Sequence, residues 1–255
     1  MSRRNIRLTL GYDGTDFAGW QIQLNARTVQ AVLQEALEKI HGSPVRVTAA
    51  GRTDSGVHAT GQVVNFFSSL ESIPVQKFAD AINSRLPPDV RVIESDEVPE
   101  HFNSRKSARL RVYHYYLYNG KVVLPHCRRY CYHVRKRLRV NQLNCIASVL
   151  VGGHDFTTFA ASGDANESKV RRVSVSCFYP HGPFIVYKIA ADSFLWKMVR
   201  SILGTILDLG DSEVGAAEMR SILLSQRRER AGQTVPAQGL FLSKVFYNEE
   251  PVSFC

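Results

Sequence analysis

An acid and a base stand two residues apart in AGRTDSGVHATGQVVNF (residues 50–66): Arg52 and Asp54, with Gly51 and Gly56 on either side. A carboxylate held in a cleft can act as a nucleophile or a general base. The arginine beside it can favour the ionised carboxylate, bind a phosphate, or fill the space left by an extruded nucleobase. The run GRTDSGV has neither helical nor alternating apolar spacing, so it reads as a loop, and its two glycines can take backbone conformations that project the side chains. Taken alone, such an aspartate is most often a turn residue. Loops on a rigid scaffold are also where reactive groups concentrate. His58, four residues on, reads as a packed or turn-bonding histidine.

A second group of side chains lies in RVYHYYLY. Tyr113, Tyr115 and Tyr116 are ordinary strand aromatics, but a tyrosine on a face turned to a cleft could stack on a nucleobase or relay a proton. The residues by themselves leave open which tyrosine that is. Basic clusters recur at 105–106, 128–129, 135–139, 171–172 and 227–230. Any one of them is a solvated surface. Five together, on a chain of net charge +9, point to a phosphate-binding surface. His126, Cys127, Cys131 and His133 crowd one short segment, whereas structural zinc draws ligand pairs from separated elements, so metal is not expected there. The chain carries no Walker loop, dinucleotide fingerprint or Ser-His-Asp signature.

These residues need elements to hold them. IRLTLGY (6–12) alternates as a strand, and Val29, Val32, Leu33, Ala36, Leu37 and Ile40 follow helical spacing behind Thr28 as N-cap. Strands are expected at 45–49, 61–67 and 90–98, with a helix opening at Pro74 and broken by LPPD (86–89). In the second half, 108–119 reads as a long strand and 140–150 as a helix. Residues 171–180 and 183–192 read as a hairpin about His-Gly, 194–207 and 214–225 as helices, and 239–247 as a closing strand. Each half thus mixes strands and helices in a β-α-β-β-α-β-like order. The expected class is α+β: two subdomains, 1–104 and 105–255, sharing a mainly antiparallel central sheet with helices packed on it and a cleft at their junction.

Composition sets the outer bounds. The 255 residues are 44% hydrophobic and 22% charged, enough for a sizeable core in one large or two small domains. The net charge of +9 suits a polyanionic partner, usually nucleic acid. The N-terminus lacks an apolar core of signal-peptide length, and no apolar run approaches the ~18 residues of a membrane span. The cysteines at 127, 131, 145, 177 and 255 are odd in number and sparse, which suits a reduced, cytoplasmic protein.

Seven separated segments then resemble one family in order: GYDGTDFAGWQIQ (11–23), GRTDSGVHATGQVVNF (51–66), NSRLPPDVRV (83–92), RKSARLRVYHYYLYN (105–119), HDFTTFAAS (154–162), FLWKMVRSILG (194–204) and PAQGLFL (236–242). The chain is similar to the tRNA pseudouridine synthase A family from about residue 6 to residue 247. The resemblance implies isomerisation of uridine to pseudouridine at nucleotides 38–40 of the tRNA anticodon arm. It implies no cofactor or metal, and a homodimer with tRNA across both subunits. It puts Asp54 in the place of the nucleophilic aspartate, and Arg52 in that of the arginine that contacts RNA and helps displace the base. Tyr113 falls where the family stacks a tyrosine on the target uracil, as general base. Leu240 matches an apolar residue of the site wall. Two segments match RNA-contacting stretches: Phe102, Asn103, Ser104, Arg105 and Lys106, and the loop Gly163, Asp164, Ala165, Asn166 and Glu167. The family usually reads Phe-His-Ala-Arg where this chain has Phe102-Asn103-Ser104-Arg105. Asn103 can hydrogen-bond RNA but cannot carry charge.

The expected chemistry is attack by Asp54 on a flipped uridine, at uracil C6 or at ribose C1′, followed by base rotation and C–C bond formation. The competing reading is an RNA-binding or chaperone protein without catalysis, for which Asp54 is dispensable. A hydrolase reading lacks a second catalytic acid at a recognisable spacing.

Overall fold

The computed structural model describes residues 3–210 and 212–247. Cys255 lies outside them, and the other four cysteines are free thiols. In chain order the elements are β1 (Arg4–Tyr12), α1 (Val29–His41), β2 (Thr48–Ala49), β3 (His58–Ser68), α2 (Phe78–Asn83), β4 (Val90–Val98), β5 (Leu110–Tyr118), β6 (Tyr132–His133), α3 (Val140–Ser148), β7 (Gly152–Asp155), β8 (Val170–His181), β9 (Phe184–Ala191), α4 (Met198–Leu209), α5 (Gly215–Ser225) and β10 (Leu240–Phe246). The class is α+β. The described chain divides into two compact units, residues 3–109 with 241–247, and residues 110–240.

In the first unit β1 lies between β3 and β4, antiparallel to both, and β10 adds parallel to the start of β3 through Phe241↔His58 and Leu242↔Ala59. The alternation of IRLTLGY works as a strand pattern should: Ile6, Leu8 and Leu10 are fully buried, while Arg7, Thr9 and Gly11 between them are only partly covered. Those residues share a core with Val29, Leu33 and Leu37 of α1, and with Phe78 and Ile82 of α2. Each such burial is worth about 1.5–3 kcal/mol. Thr28 caps α1, its hydroxyl accepting from Ala31 N–H at 3.4 Å, and Gly42 ends the helix in a left-handed turn. The expected strand over 45–49 shrinks to two residues; Val45 and Val47 are buried without joining the ladder. The helix expected from Pro74 begins with a single 3-10 turn before α2.

In the second unit β5, β9, β8 and β7 pair antiparallel in that order, with β6 parallel to the end of β5. The β8–β9 hairpin turns at Gly182, whose φ of +54° suits glycine. Tyr187 stacks on Phe178 at 4.6 Å and its hydroxyl meets Ser176 Oγ at 2.9 Å, so this buried phenol is both packed and hydrogen-bonded. Ile202, Leu203 and Ile206 of α4 are fully buried, as is Met219 of α5.

One helix starts later than its apolar stripe suggests. The stripe begins at Phe194, but α4 begins at Met198. Trp196 has its backbone engaged elsewhere: its N–H donates to Asp164 Oδ2 at 2.6 Å and its carbonyl accepts from Ala161 N–H at 3.0 Å. Lys197 then takes the left-handed conformation, φ 60°, which no helix can propagate.

Candidate active site and RNA-facing segments

The loop over 51–57 is held from behind by the segment over 12–20. Trp20 N–H donates to the Thr53 carbonyl at 3.0 Å, and Gly56 N–H and Ser55 Oγ both donate to the Phe17 carbonyl, at 3.3 and 3.2 Å. Tyr12 Oη lies 2.8 Å from Thr53 Oγ1, and its burial pushes that phenol up to about 12. The approach is so close that a side chain at Gly19 would meet the Thr53 carbonyl at 2.7 Å. Gln62 Nε2 donates to the Gly51 carbonyl at 2.8 Å, tying the loop to β3. Asp54 closes a turn through its own carbonyl, which accepts Val57 N–H at 3.1 Å. Its side chain is partly exposed and Arg52 is exposed. Of the two glycines, Gly56 takes positive φ, +76°, whereas Gly51 does not, so only one supplies the left-handed turn. The loop is thus a rigid shelf carrying two solvent-reachable charged groups. The buttressing residues Tyr12, Phe17, Gly19 and Trp20 were not singled out from sequence, although all fall in the motif GYDGTDFAGW.

His58 is a packing residue, as its sequence context suggests. It is fully buried, stacks on Phe241 at 4.6 Å and accepts Gly14 N–H on Nδ1 at 3.0 Å.

The turn over 99–106 is anchored by two buried amides that sequence reading passed over. Asn5 on β1 donates through Nδ2 to the carbonyls of Pro99 at 3.0 Å and Phe102 at 2.9 Å. Asn65 on β3 donates to Asn5 Oδ1 at 2.9 Å and accepts Ser104 N–H at 2.9 Å. Ser104 is fully buried, and its Oγ donates to the Thr48 carbonyl at 2.6 Å. Phe102 packs against Tyr247 at 4.9 Å. Asn103 Oδ1 accepts N–H from Arg105 at 3.1 Å and from Lys106 at 3.0 Å, so its amide oxygen shapes the turn. Arg105 and Lys106 are the exposed members of the five.

In the second unit the three tyrosines of β5 separate. Tyr115 is fully buried, its hydroxyl donates to the Pro236 carbonyl at 2.7 Å, and burial pushes its pKa far up. Tyr116 lies on the opposite face, edge-on to Phe184. Tyr113 shares a face with Tyr115, keeps 7% exposure, and sets its ring edge-on to Phe194 at 5.0 Å. Leu240, 5% exposed, follows a 3-10 turn whose Gly239 has no room for a side chain against the Tyr115 ring.

The loop over 163–167 splits by role. Gly163, Ala165, Asn166 and Glu167 are exposed. Asp164 is the pin: its carboxylate pairs with Lys169 Nζ at 2.7 Å and accepts N–H from Asn166 and Trp196. Burial opposes its charge, but the Lys169 ammonium and those N–H donors hold the carboxyl well below the usual range. Trp196, 47% exposed, sits over Gly163 with Lys197 Nζ 4.9 Å from its ring; neither was singled out from sequence.

The basic clusters are mostly exposed, including Arg128, Arg129, Arg135, Lys136 and Arg137. The pair at 171–172 divides: Arg172 is exposed, while Arg171 is buried and donates to the Ser168 and Val170 carbonyls. At the crowded Cys/His segment, Cys131 Sγ donates to the Cys127 carbonyl at 3.3 Å and His133 pairs with the Gly120 carbonyl at 2.9 Å. Among the described residues no cluster of His, Cys, Asp and Glu is set to hold a metal ion.

The first unit thus carries Asp54 on a braced loop and Arg105 and Lys106 on a braced turn, and further exposed basic residues lie in the second unit. The family model for tRNA pseudouridine synthase matches residues 10–105 and 146–248, and the chain belongs to that family. Its relatives include the tRNA pseudouridine synthase A of Treponema denticola, 42% identical over 98% of this chain and 95% of the relative. Those of Halalkalibacterium halodurans and Borrelia duttonii are 44% and 40% identical, over 93% and 96% of this chain and 90% and 99% of theirs.

Proposed function

We infer that the protein isomerises uridine to pseudouridine in tRNA, at nucleotides 38–40 of the anticodon arm. The observation that carries this reading is the family match over residues 10–105, which takes in both the Asp54 loop and the segment that buttresses it. The exposed cations dock the phosphate backbone. The target uridine leaves the stack at a cost of a few kcal/mol, and Arg52 occupies the vacated space. Asp54 attacks uracil C6 or ribose C1′. The C1′–N1 bond breaks, the uracil turns, C1′ bonds to C5, and the bond from Asp54 to C1′ or C6 breaks to return the free carboxylate. The proton on C5 departs, with Tyr113 as base, and N1 ends protonated, so no atom is gained or lost. This reading requires Asp54, Tyr113 and Leu240 to meet on one nucleotide, in a cleft at the junction of two subdomains that share a central sheet. Arg105, Lys106 and the 163–167 loop hold the RNA beside it. The working form is a cytoplasmic homodimer that needs no cofactor; among the described residues no helix is long and apolar enough to cross a membrane.

Asp54→Asn is nearly isosteric and keeps a turn-compatible side chain. The variant should bind unmodified tRNA as the wild type does and release no tritium from tRNA labelled at uracil C5. Normal tritium release by Asp54→Asn would remove the aspartate from the mechanism. Wild-type protein that binds the RNA without releasing tritium would leave a non-catalytic RNA-binding protein.

A further inference from the structure

A pocket of about 180 Å³ opens in the second unit at the start of α4, walled by Ala161, Ser162, Lys197, Ser201, Arg228 and Thr234. Three hydroxyl-bearing residues and two cationic ones line one small volume, together with Phe159. Among the described residues no carboxylate lines it. Glu229, next to Arg228, is exposed and outside the lining. The volume is below the roughly 300 Å³ at which small-molecule pockets begin, so it suits one charged group rather than a whole nucleotide.

Two independent features point to an anion. The first is the positive end of α4, a helix of 12 residues whose N-cap, Lys197, makes no side-chain hydrogen bond to the first turn. The second is Ser201. The residue lines the pocket and is 1% exposed, and its buried Oγ has no hydrogen-bond partner among the described residues. A buried hydroxyl is ordinarily paired, and leaving one unpaired costs free energy. One helical turn on, Thr205 does pair, donating to the Ser201 carbonyl at 2.9 Å. Arg228 is already braced for a second partner: its guanidinium donates to Thr234 Oγ1 at 3.1 Å, which orients that hydroxyl and keeps the charge at the wall.

We propose that this pocket takes one phosphate group, supplied by the sugar–phosphate backbone of the RNA substrate. The helix end, Ser201 Oγ, Ser162 Oγ and the guanidinium of Arg228 donate to its oxygens, and Lys197 adds charge at the mouth. Only the source of the phosphate rests on the pseudouridine reading; the anion chemistry stands without it.

The test compares wild type, Ser162→Glu and Ser201→Ala. Ser162 is exposed, so the added carboxylate folds without burial, and Ser201→Ala trims one hydroxyl. Unmodified tRNA transcript is titrated across a salt series. For Ser162→Glu the slope of log affinity against log salt should flatten by about 0.7–0.9, the release expected for one lost phosphate contact. Ser201→Ala should weaken binding several-fold at every salt concentration. In parallel, inorganic phosphate should raise the melting midpoint of wild type and leave that of Ser201→Ala in place. A phosphate response lost in Ser201→Ala, with the tRNA slope of Ser162→Glu unaltered, would overturn the RNA backbone as the source in favour of free phosphate. No change in either arm for either variant would overturn the site itself. Tritium release by wild type is scored separately, so failure of the isomerase reading is told apart from failure of the pocket.

Discussion

Asn5, Asn65, Asn103 and Asp164 each bond to other parts of the chain through side-chain oxygen or nitrogen atoms. Asn65 satisfies Asn5 and Ser104 at once, and both partners are buried. Asn65→Ala strands Asn5 Oδ1 and the Ser104 N–H, at about 1–3 kcal/mol for a buried polar group left unpaired. A urea midpoint lowered by that amount is expected, with a raised KM for tRNA because Arg105 and Lys106 ride on the same turn. Asp164 makes a pH-dependent contribution. Its carboxyl is lowered in the folded state, so its stabilisation is complete above the ordinary aspartate value of about 3.9 and is lost as pH falls through the lowered value. Acid titration of the urea midpoint below about pH 4 should therefore be steeper for wild type than for Asp164→Asn. The identity of Asp54 and Arg52 as candidates was readable from residue type and spacing. The buried asparagines were not, since a polar residue in an alternating strand carries no local sign of what it will bond.

At the scale of elements, periodicity located most strands and helices and missed where tertiary bonds override it. The stripe through Phe194 and Leu195 is helical in spacing, yet Asp164, 32 positions earlier, captures the Trp196 N–H and delays α4 to Met198. The loop that carries Asp54 shows the same dependence. Gly56 holds φ +76°, where a Cβ costs roughly 1–2 kcal/mol. Gly56→Ala should lower stability by about that amount and reduce turnover more than tRNA affinity, because it shifts the shelf under Asp54 while leaving the basic surface in place. Guanidinium titration and single-turnover tritium release check the two halves of that expectation.

For the whole molecule, the net charge of +9 suits a polyanionic partner, and each unit has exposed arginines and lysines of its own. The proposed homodimer predicts a mass by light scattering near twice 28.6 kDa; a mass of one chain would refute it. The sequence by itself determined the α+β class, most of the elements, the charge of the partner, and the family with its Asp54 loop, because these reside in local periodicity, composition and short motifs. The tertiary structure alone decided that the segment over 12–20 braces the Asp54 loop. It alone decided that Asn5 and Asn65 hold the 99–106 turn, that Tyr115 is spent on Pro236, and that β10 returns to pair with β3. Each of those is a bond between residues far apart in the chain. Which distant donor meets which acceptor is set by how the elements pack, and no local spacing records it.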